Sequence, residues 1–259
     1  MRYALISDVH ANRPALEATL AAISARNDID AVYHLGDLVG YAPWPDDVVE
    51  ILQRANISGV AGNYDSTVAT DYKDCGCRYE DPHQSALAHE SYEWTRAHVT
   101  PLTRARLRAL PFRIDVRPLG GHVAGPRLVL IHAHTSNNLI YVEEMRPDSF
   151  LQKMAESAGL NSGDVIAFGH THKPWHRIVD GIHFVNTGSV GRPKDGDPRA
   201  CYVVATIGDG VGPSIEFVRT PYDVDAAARG ILASDLPNEF AEHLRTGGKA
   251  GVAAGTGTR

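Results

Sequence analysis

The chain reads as an α/β protein built from two packed mixed β-sheets flanked by helices, and three observations predict this. Residues 3–6 form a nearly continuous apolar run without polar alternation, as a strand buried on both faces of a sheet does. The first third alternates strand with helix, an order that right-handed crossovers turn into a parallel sheet. In the second half Asp180-Gly181 separates two short runs, a hairpin signal that brings antiparallel strands into the architecture.

The elements follow in order. After the first strand, Arg13-Pro14 opens a helix to about Arg26, since Pro suits the first helical position and Leu16, Leu20 and Ile23 share a face. Residues 30–35 read as the second strand, and Pro45 starts a second helix with Asp46 and Asp47 in its first turn, where the helix dipole favours acids. The third strand spans 57–61. Residues 66–112 break the rhythm and read as a mostly helical insertion, with helix starts at Asp81-Pro82 and Thr100-Pro101. Strands at 127–131 and 164–168 flank a helix from about Pro147 to Ala158 that Gly159 stops. The hairpin 176–179/182–185 comes next, and 201–207 pairs with 214–219. Residues 1–222 thus form the main domain, 223–246 a helical tail, and the Gly, Ala and Thr-rich end 247–259 is expected to be disordered.

Composition excludes several classes. The 259 residues suit one large α/β domain, and 43% hydrophobic with 22% charged residues are the proportions of an ordinary globule. A net charge of −6 argues against general nucleic-acid or anionic-membrane binding. No apolar run approaches the length of a membrane span, and the apolar start ends at Asp8, too early for a signal peptide, so a cytoplasmic location is expected. Of three cysteines, Cys75 and Cys77 are expected as free thiols, the single intervening residue being short for a metal site. Whether the chain forms a homo-oligomer is left open.

Side chains able to hold a metal recur at the strand ends. Asp8 and His10 follow the first strand, Asp37 the second and Asn63 the third; His132 follows the fourth, and His170 and His172 the fifth. Parallel strands place their carboxyl ends on one edge, where open α/β sheets collect ligands. Seven such groups are too many for one six-coordinate ion and suit two divalent ions sharing a carboxylate, with Asp37 as the bridge. Mixed imidazole and oxygen ligands suit manganese first, with iron, zinc, nickel or cobalt as alternatives.

The series Asp8-Val-His10, Gly36-Asp37, Gly62-Asn63-Tyr64-Asp65, His132 and Gly169-His170-Thr-His172 resembles the calcineurin-like metallophosphoesterase family over roughly residues 1 to 205. The longer wording, Asp8 to Asn12, Gly36 to Tyr41 and Gly188 to Asp197, is similar to the small bacterial and archaeal phosphodiesterases of that family. The resemblance implies the metallophosphoesterase-type four-layer α/β/β/α sandwich. It implies one metal held by Asp8, His10, Asp37 and His172 and a second by Asp37, Asn63, His132 and His170, with a bridging hydroxide that attacks a small phosphate-ester substrate. Many members carry histidine after the Gly-Asn motif to protonate the leaving oxygen, whereas this chain has Tyr64, a poorer acid near neutral pH.

Substrates with good leaving groups, among them aryl diesters, cyclic nucleotides and pyrophosphates, are therefore expected ahead of phosphomonoesters and phosphoproteins. The rival reading is a protein-binding scaffold on the same fold. His134 is a candidate acid or a supporting histidine, and Asp65 orients a neighbour or forms a turn. Asn12 and Arg13 open a helix near the metals and could meet phosphate, Asn12 alternatively serving as a cap. Arg192 and Lys194 follow a glycine-rich turn and read as a solvated loop, with anion binding as the alternative.

Overall fold

β1 (Arg2–Ile6) is the axis of the molecule. Its Ala4 and Ile6 face a layer of helices while Tyr3 and Leu5 face a second sheet, and none of the four is more than 1% exposed. Burial on both faces is why the strand shows no alternation. The computed structural model describes residues 1–77, 81–117, 125–208 and 211–249. The stretch expected to be disordered lies outside the described residues from 250 onward.

Along the chain, β1 is followed by α1 (Arg13–Ser24), β2 (Ala31–His34), α2 (Pro45–Arg54), β3 (Ser58–Gly59) and α3 (Asn63–Ala69). Then come α4 (Pro82–His98), α5 (Pro101–Arg108), β4 (Ile114–Val116), β5 (Leu128–Leu130), α6 (Asp148–Ala158) and β6 (Val165–Phe168). The hairpin β7 (Trp175–Val179) and β8 (Ile182–Asn186) leads to β9 (Ala200–Gly208), β10 (Val211–Thr220), α7 (Val224–Leu232) and α8 (Glu239–Thr246).

The strands form two five-stranded sheets, in the orders β10-β9-β1-β2-β3 and β4-β5-β6-β8-β7. β1, β2 and β3 run parallel, as do β5, β6 and β8, while β9, β10, β4 and β7 are antiparallel to their neighbours. Tyr3, Leu5, Leu35, Leu128, Val165 and Val203 fill the space between the sheets. Each such side chain contributes about 1.5–3 kcal/mol by leaving water. Residues of α1, α2, α7 and α8 cover the outer face of the first sheet, and α6 covers the second. The result is four layers.

Three differences from expectation have local causes. β3 is only two residues long because Ala61 leaves the ladder to donate to the Pro111 carbonyl at 2.8 Å. β4 went unread because a three-residue edge strand, half-exposed along its length, lacks a periodic signature. Cys75 and Cys77, expected as free thiols, are joined in a disulfide. No helix among the described residues is long and apolar enough to cross a membrane.

Candidate metal centre

The two sheets lie with the carboxyl ends of their parallel strands at one edge. The turns leaving β1, β2 and β3 bring Asp8, His10, Asp37 and Asn63; those leaving β5 and β6 bring His132, His170 and His172. All seven are buried, at 5% exposure or less. They fall into two groups of convergent donors, Asp8 with His10 and His172, and Asp37 with His132 and His170. Asn63 joins the second, its Oδ1 lying 3.1 Å from His132 Nε2. Asp37 Oδ2 stands between the groups, 3.8 Å from His10 Nε2 and 3.6 Å from His132 Nε2.

Each carboxylate has one oxygen tied to the protein and one left for the centre. Asp8 Oδ2 accepts from the Ser7 hydroxyl at 2.6 Å and the His170 amide at 3.0 Å, whereas the buried Oδ1 has no donor. Asp37 Oδ1 accepts from the Tyr64 amide at 2.9 Å. The imidazoles are arranged likewise. Nδ1 of His10, His132 and His172 faces the carbonyls of Val39, Leu35 and Arg192 at 3.0, 2.8 and 2.6 Å. A carbonyl only accepts, so these Nδ1 atoms carry the hydrogens and each Nε2 offers a lone pair. His10 and His172 then set two lone pairs 3.1 Å apart. The Asn63 amide donates to the Cys75 carbonyl at 3.0 Å, which turns its oxygen toward His132 Nε2. Lone pairs facing one another among buried carboxylates are the donor set that divalent transition metals require.

The electrostatics agree. Burial, and then the neighbouring imidazoles and cations, hold His10, His170 and His172 well below the ordinary imidazole range, so they stay neutral. Burial pushes Asp37 up to about 7, with Asp65 and Asp8 adding to the effect. At His132 burial opposes the charge, but Asp37 and Asp8 outweigh it and raise its pKa. The site calls for positive charge.

Backbone strain gathers at the same residues. Asp8, His10, Asp37, His170 and His172 all have φ between 47° and 68°, the left-handed region that ordinary residues rarely occupy. Two glycines make the close approach of the turns practicable. A Cβ on Gly62 would lie 2.0 Å from Asp37 Oδ1, and one on Gly169 would lie 2.2 Å from Asp8 Oδ2.

Comparison with known proteins assigns the family. The model of the calcineurin-like phosphoesterase superfamily domain matches residues 1–210. The chain belongs to this superfamily. It is 30% identical over 260 residues to an uncharacterized protein of Methanocaldococcus jannaschii, covering 94% of this chain and 97% of that one. It is 28% identical over 221 residues to a probable metallophosphoesterase of Methanothermobacter thermautotrophicus, covering 85% and 93%. Among solved structures, a metallophosphoesterase of Sphaerobacter thermophilus superposes with a TM-score of 0.72 at 26% identity, covering 95% of this chain and all of that one. A hypothetical protein of Pyrococcus horikoshii shares the fold with a TM-score of 0.79 at 20% identity, covering 96% and 99%.

In this calcineurin-like domain the remaining candidate residues take different places. Asp65 accepts from the amides of Leu38 and Gly62, both at 2.9 Å, and so clamps the turn bearing Asp37 to the start of α3. The Tyr64 ring lines the cleft over the ligands, but its hydroxyl donates to the Ala88 carbonyl of α4 at 3.4 Å. His134 turns away, to Ser136 at 2.9 Å and the ring of Phe150. Asn12 and Arg13, offered as phosphate-binding residues, are engaged elsewhere. The Asn12 oxygen caps α1 by accepting from Ala15 at 3.2 Å, and its amide donates to the Gly191 carbonyl and the Tyr222 hydroxyl. Arg13 is half-buried and pairs with Asp47 and Glu17.

Tyr41, Tyr141, Cys77 and Lys194 also line the cleft. Sequence reasoning gives Tyr41 and Tyr141 no place there, and reads Cys77 as a free thiol in an insertion beside the site and Lys194 as part of a solvated loop with anion binding as the alternative. The Tyr141 ring lies against that of His170, centroids 4.3 Å apart and planes tilted by 30°. Arg192, expected in a solvated loop, is only 4% exposed.

Proposed function

We propose that this calcineurin-like protein is a dinuclear metal-dependent phosphoesterase acting on phosphodiester or nucleotide-like substrates. One observation carries the reading: seven buried donors, from five strand ends of two sheets, converge with their lone pairs toward one another. Asp8, His10, Asp37 and His172 would hold one divalent ion, and Asp37, Asn63, His132 and His170 the other. When bound, such ions supply Lewis acidity toward phosphoryl oxygens and lower the pKa of water toward neutrality. A protein-binding scaffold has no use for buried imidazoles set lone pair to lone pair. We assign manganese as the first metal to test.

The chain's own residues favour stable leaving groups. Tyr64 directs its hydroxyl to Ala88, and His134 lies against Phe150, so neither presents a proton to an oxygen departing over the centre. General-acid catalysis contributes roughly 10²–10⁴-fold where it operates. Without it, alkoxide departure is slow, whereas aryl oxide and phosphate leave without protonation. The test is hydrolysis of an aryl phosphodiester and the matching aryl monoester by metal-stripped protein with manganese added back. The expected outcome is metal-restored turnover favouring the diester, lost by about 10³-fold or more in Asp37→Asn. Equal activity with and without metal would overturn the reading.

A further inference from the structure

Asn63 brings two ends to the centre, and only one can serve it. Its oxygen has lone pairs for a metal, whereas its amide nitrogen only donates hydrogen bonds. A three-residue loop chooses between them. Asn63 Nδ2 donates to the Cys75 carbonyl at 3.0 Å and to Cys77 Sγ at 3.4 Å, which leaves Oδ1 3.1 Å from His132 Nε2. The loop is closed by the Cys75–Cys77 disulfide, and the amide of Gly76 within it donates to Asp74 Oδ1 at 2.9 Å. A Cβ on Gly76 would lie 2.5 Å from Leu139 Cδ2. The loop is therefore lodged between a metal donor and the segment that brings Tyr141 against His170.

Stability does not account for this link. The constraint a disulfide places on the unfolded chain grows with the loop it encloses, and here one residue lies between the cysteines. Its place does account for it. Cys75 is buried, whereas Cys77 is half-buried and lines the metal cleft, through which a small thiol reaches its sulfur. Cys201 differs: it is free and buried, and burial pushes its thiol up to about 11, which keeps it from reacting as a thiolate. Exchange chemistry is thus confined to the pair that holds Asn63.

We propose that Cys75 and Cys77 form a thiol–disulfide exchange site, reduced by a dithiol, that sets the orientation of Asn63 and with it the affinity of the second metal group. The proposal rests on the dinuclear reading, in which Asn63 is a ligand, and names a control on the same centre. One thiolate of the dithiol bonds to Cys77 Sγ, and the Cys75–Cys77 bond breaks with its electron pair on Cys75 Sγ, which takes a proton. The second thiolate then bonds to the first sulfur of the reagent, and the pair of the bond so broken goes to Cys77 Sγ, which is protonated in turn. The protein gains two electrons and two protons; the dithiol supplies both and leaves as a cyclic disulfide. A disulfide sulfur only accepts a hydrogen bond and so distinguishes the two ends of the Asn63 amide, whereas a thiol also donates and distinguishes them no longer. Reduction also removes the tie that helps to fix the Cys75 carbonyl.

Calorimetric titration of the metal-stripped full chain with manganese tests the site in two states: oxidised, and reduced with dithiothreitol that is then removed under argon. Alkylation in denaturant followed by mass spectrometry assigns the state, since the linked chain labels at Cys201 alone and the reduced chain at all three cysteines. One of the two manganese sites should lose about 10- to 100-fold in affinity on reduction, as when a group that orients a ligand is lost, and regain it on reoxidation. Cys75→Ala/Cys77→Ala, which cannot be linked, should bind as the reduced chain does. In Asn63→Ala the oxidised and reduced chains should bind alike, because the group being oriented is gone; a merely structural link would still separate them. Circular dichroism melts identify a state or variant that misfolds, and the doubly substituted chain keeps the comparison open if reduction unfolds the parent. Equal affinity in the two states, labelling at all three cysteines after treatment with oxidant, or a difference undiminished in Asn63→Ala overturns the exchange site. The two readings separate: metal-dependent hydrolysis of the aryl diester with manganese affinity indifferent to the link removes the exchange site alone. Manganese binding that follows the link, without hydrolysis of any ester, removes the phosphoesterase reading and leaves the exchange site standing.

Discussion

Asp37 is the residue through which protons compete with metal. Burial pushes its carboxyl up to about 7 from an ordinary 3.8. Its native state therefore binds more protons than the unfolded chain between those values, and this carboxyl costs the metal-free protein stability as pH rises from about 4 to about 7. The buried imidazoles His10, His170 and His172 act oppositely, their contribution being lost as pH falls below the ordinary imidazole value. A metal ion must displace the Asp37 proton and that of His132, whose pKa is also raised, so manganese affinity should fall by at least about tenfold for each pH unit below 7. Calorimetry at pH 6, 7 and 8 reads this directly, and a pH-independent affinity would remove Asp37 from the ligand set. At Tyr64 the prediction is a small effect. Because the hydroxyl is engaged by Ala88, Tyr64→Phe should change kcat/KM on an aryl diester by less than about tenfold, where loss of a working general acid costs roughly 10²–10⁴-fold. The gathering of Asp8, His10, Asp37, Asn63, His132, His170 and His172 at one edge was legible because each follows an apolar run, so local pattern alone places them at strand ends. The roles of Asn12, His134 and Arg192 were not, because each depends on a segment far away in sequence. Asn12 bonds Gly191, His134 packs on Phe150, and Arg192 rests between Tyr41 and Phe240.

Elements hold these residues by fitting turn against turn. The turn after β6 passes so close to that after β1 that a Cβ on Gly169 would meet Ser7 Oγ at 2.1 Å and Asp8 Oδ2 at 2.2 Å. Gly169→Ala must push Asp8 or His170 aside. Overpacking of this kind costs typically about 1–3 kcal/mol, and here it should also lower metal affinity. The check is a denaturant melt beside a manganese titration; a stability loss with undiminished affinity would show that the turns move as one. α8 acts on the centre from outside, since Phe240 packs edge-on to Tyr41 with ring centroids 5.2 Å apart and His243 bonds the carbonyl of Pro193. Helices with capping residues and a clear apolar face were readable, as were strands buried on both faces. α3 was missed because its first residues are themselves site residues, Asn63, Tyr64 and Asp65, whose pattern reads as a turn. The Cys75–Cys77 link was missed because spacing says nothing of pairing, yet its loop supplies the carbonyl that orients Asn63.

The whole molecule is two sheets, each with its own helices on the outside, meeting along an apolar layer and at one edge. The apolar layer resists separation without direction, whereas the edge is specific. Asp8, His10, Asp37 and Asn63 come from the first sheet, His132, His170 and His172 from the second, and both donor groups draw on both sheets. Divalent ions bound there would cross-link the sheets and neutralise carboxylates that burial disfavours. Binding to the folded state alone stabilises it by about 2.7 kcal/mol when free metal is 100 times its Kd. For a domain of this size each kcal/mol moves Tm by about 2–4 °C, so stripping the metal should lower Tm by about 5–10 °C. Scanning calorimetry of chelator-treated protein, before and after manganese is restored, measures the change. In Asp37→Asn, which removes the carboxylate proposed to be shared by the two ions, the shift should shrink to a small fraction. If the variant shifts as far as the parent, the metal is binding elsewhere; if neither shifts, the edge does not hold the sheets through metal at all.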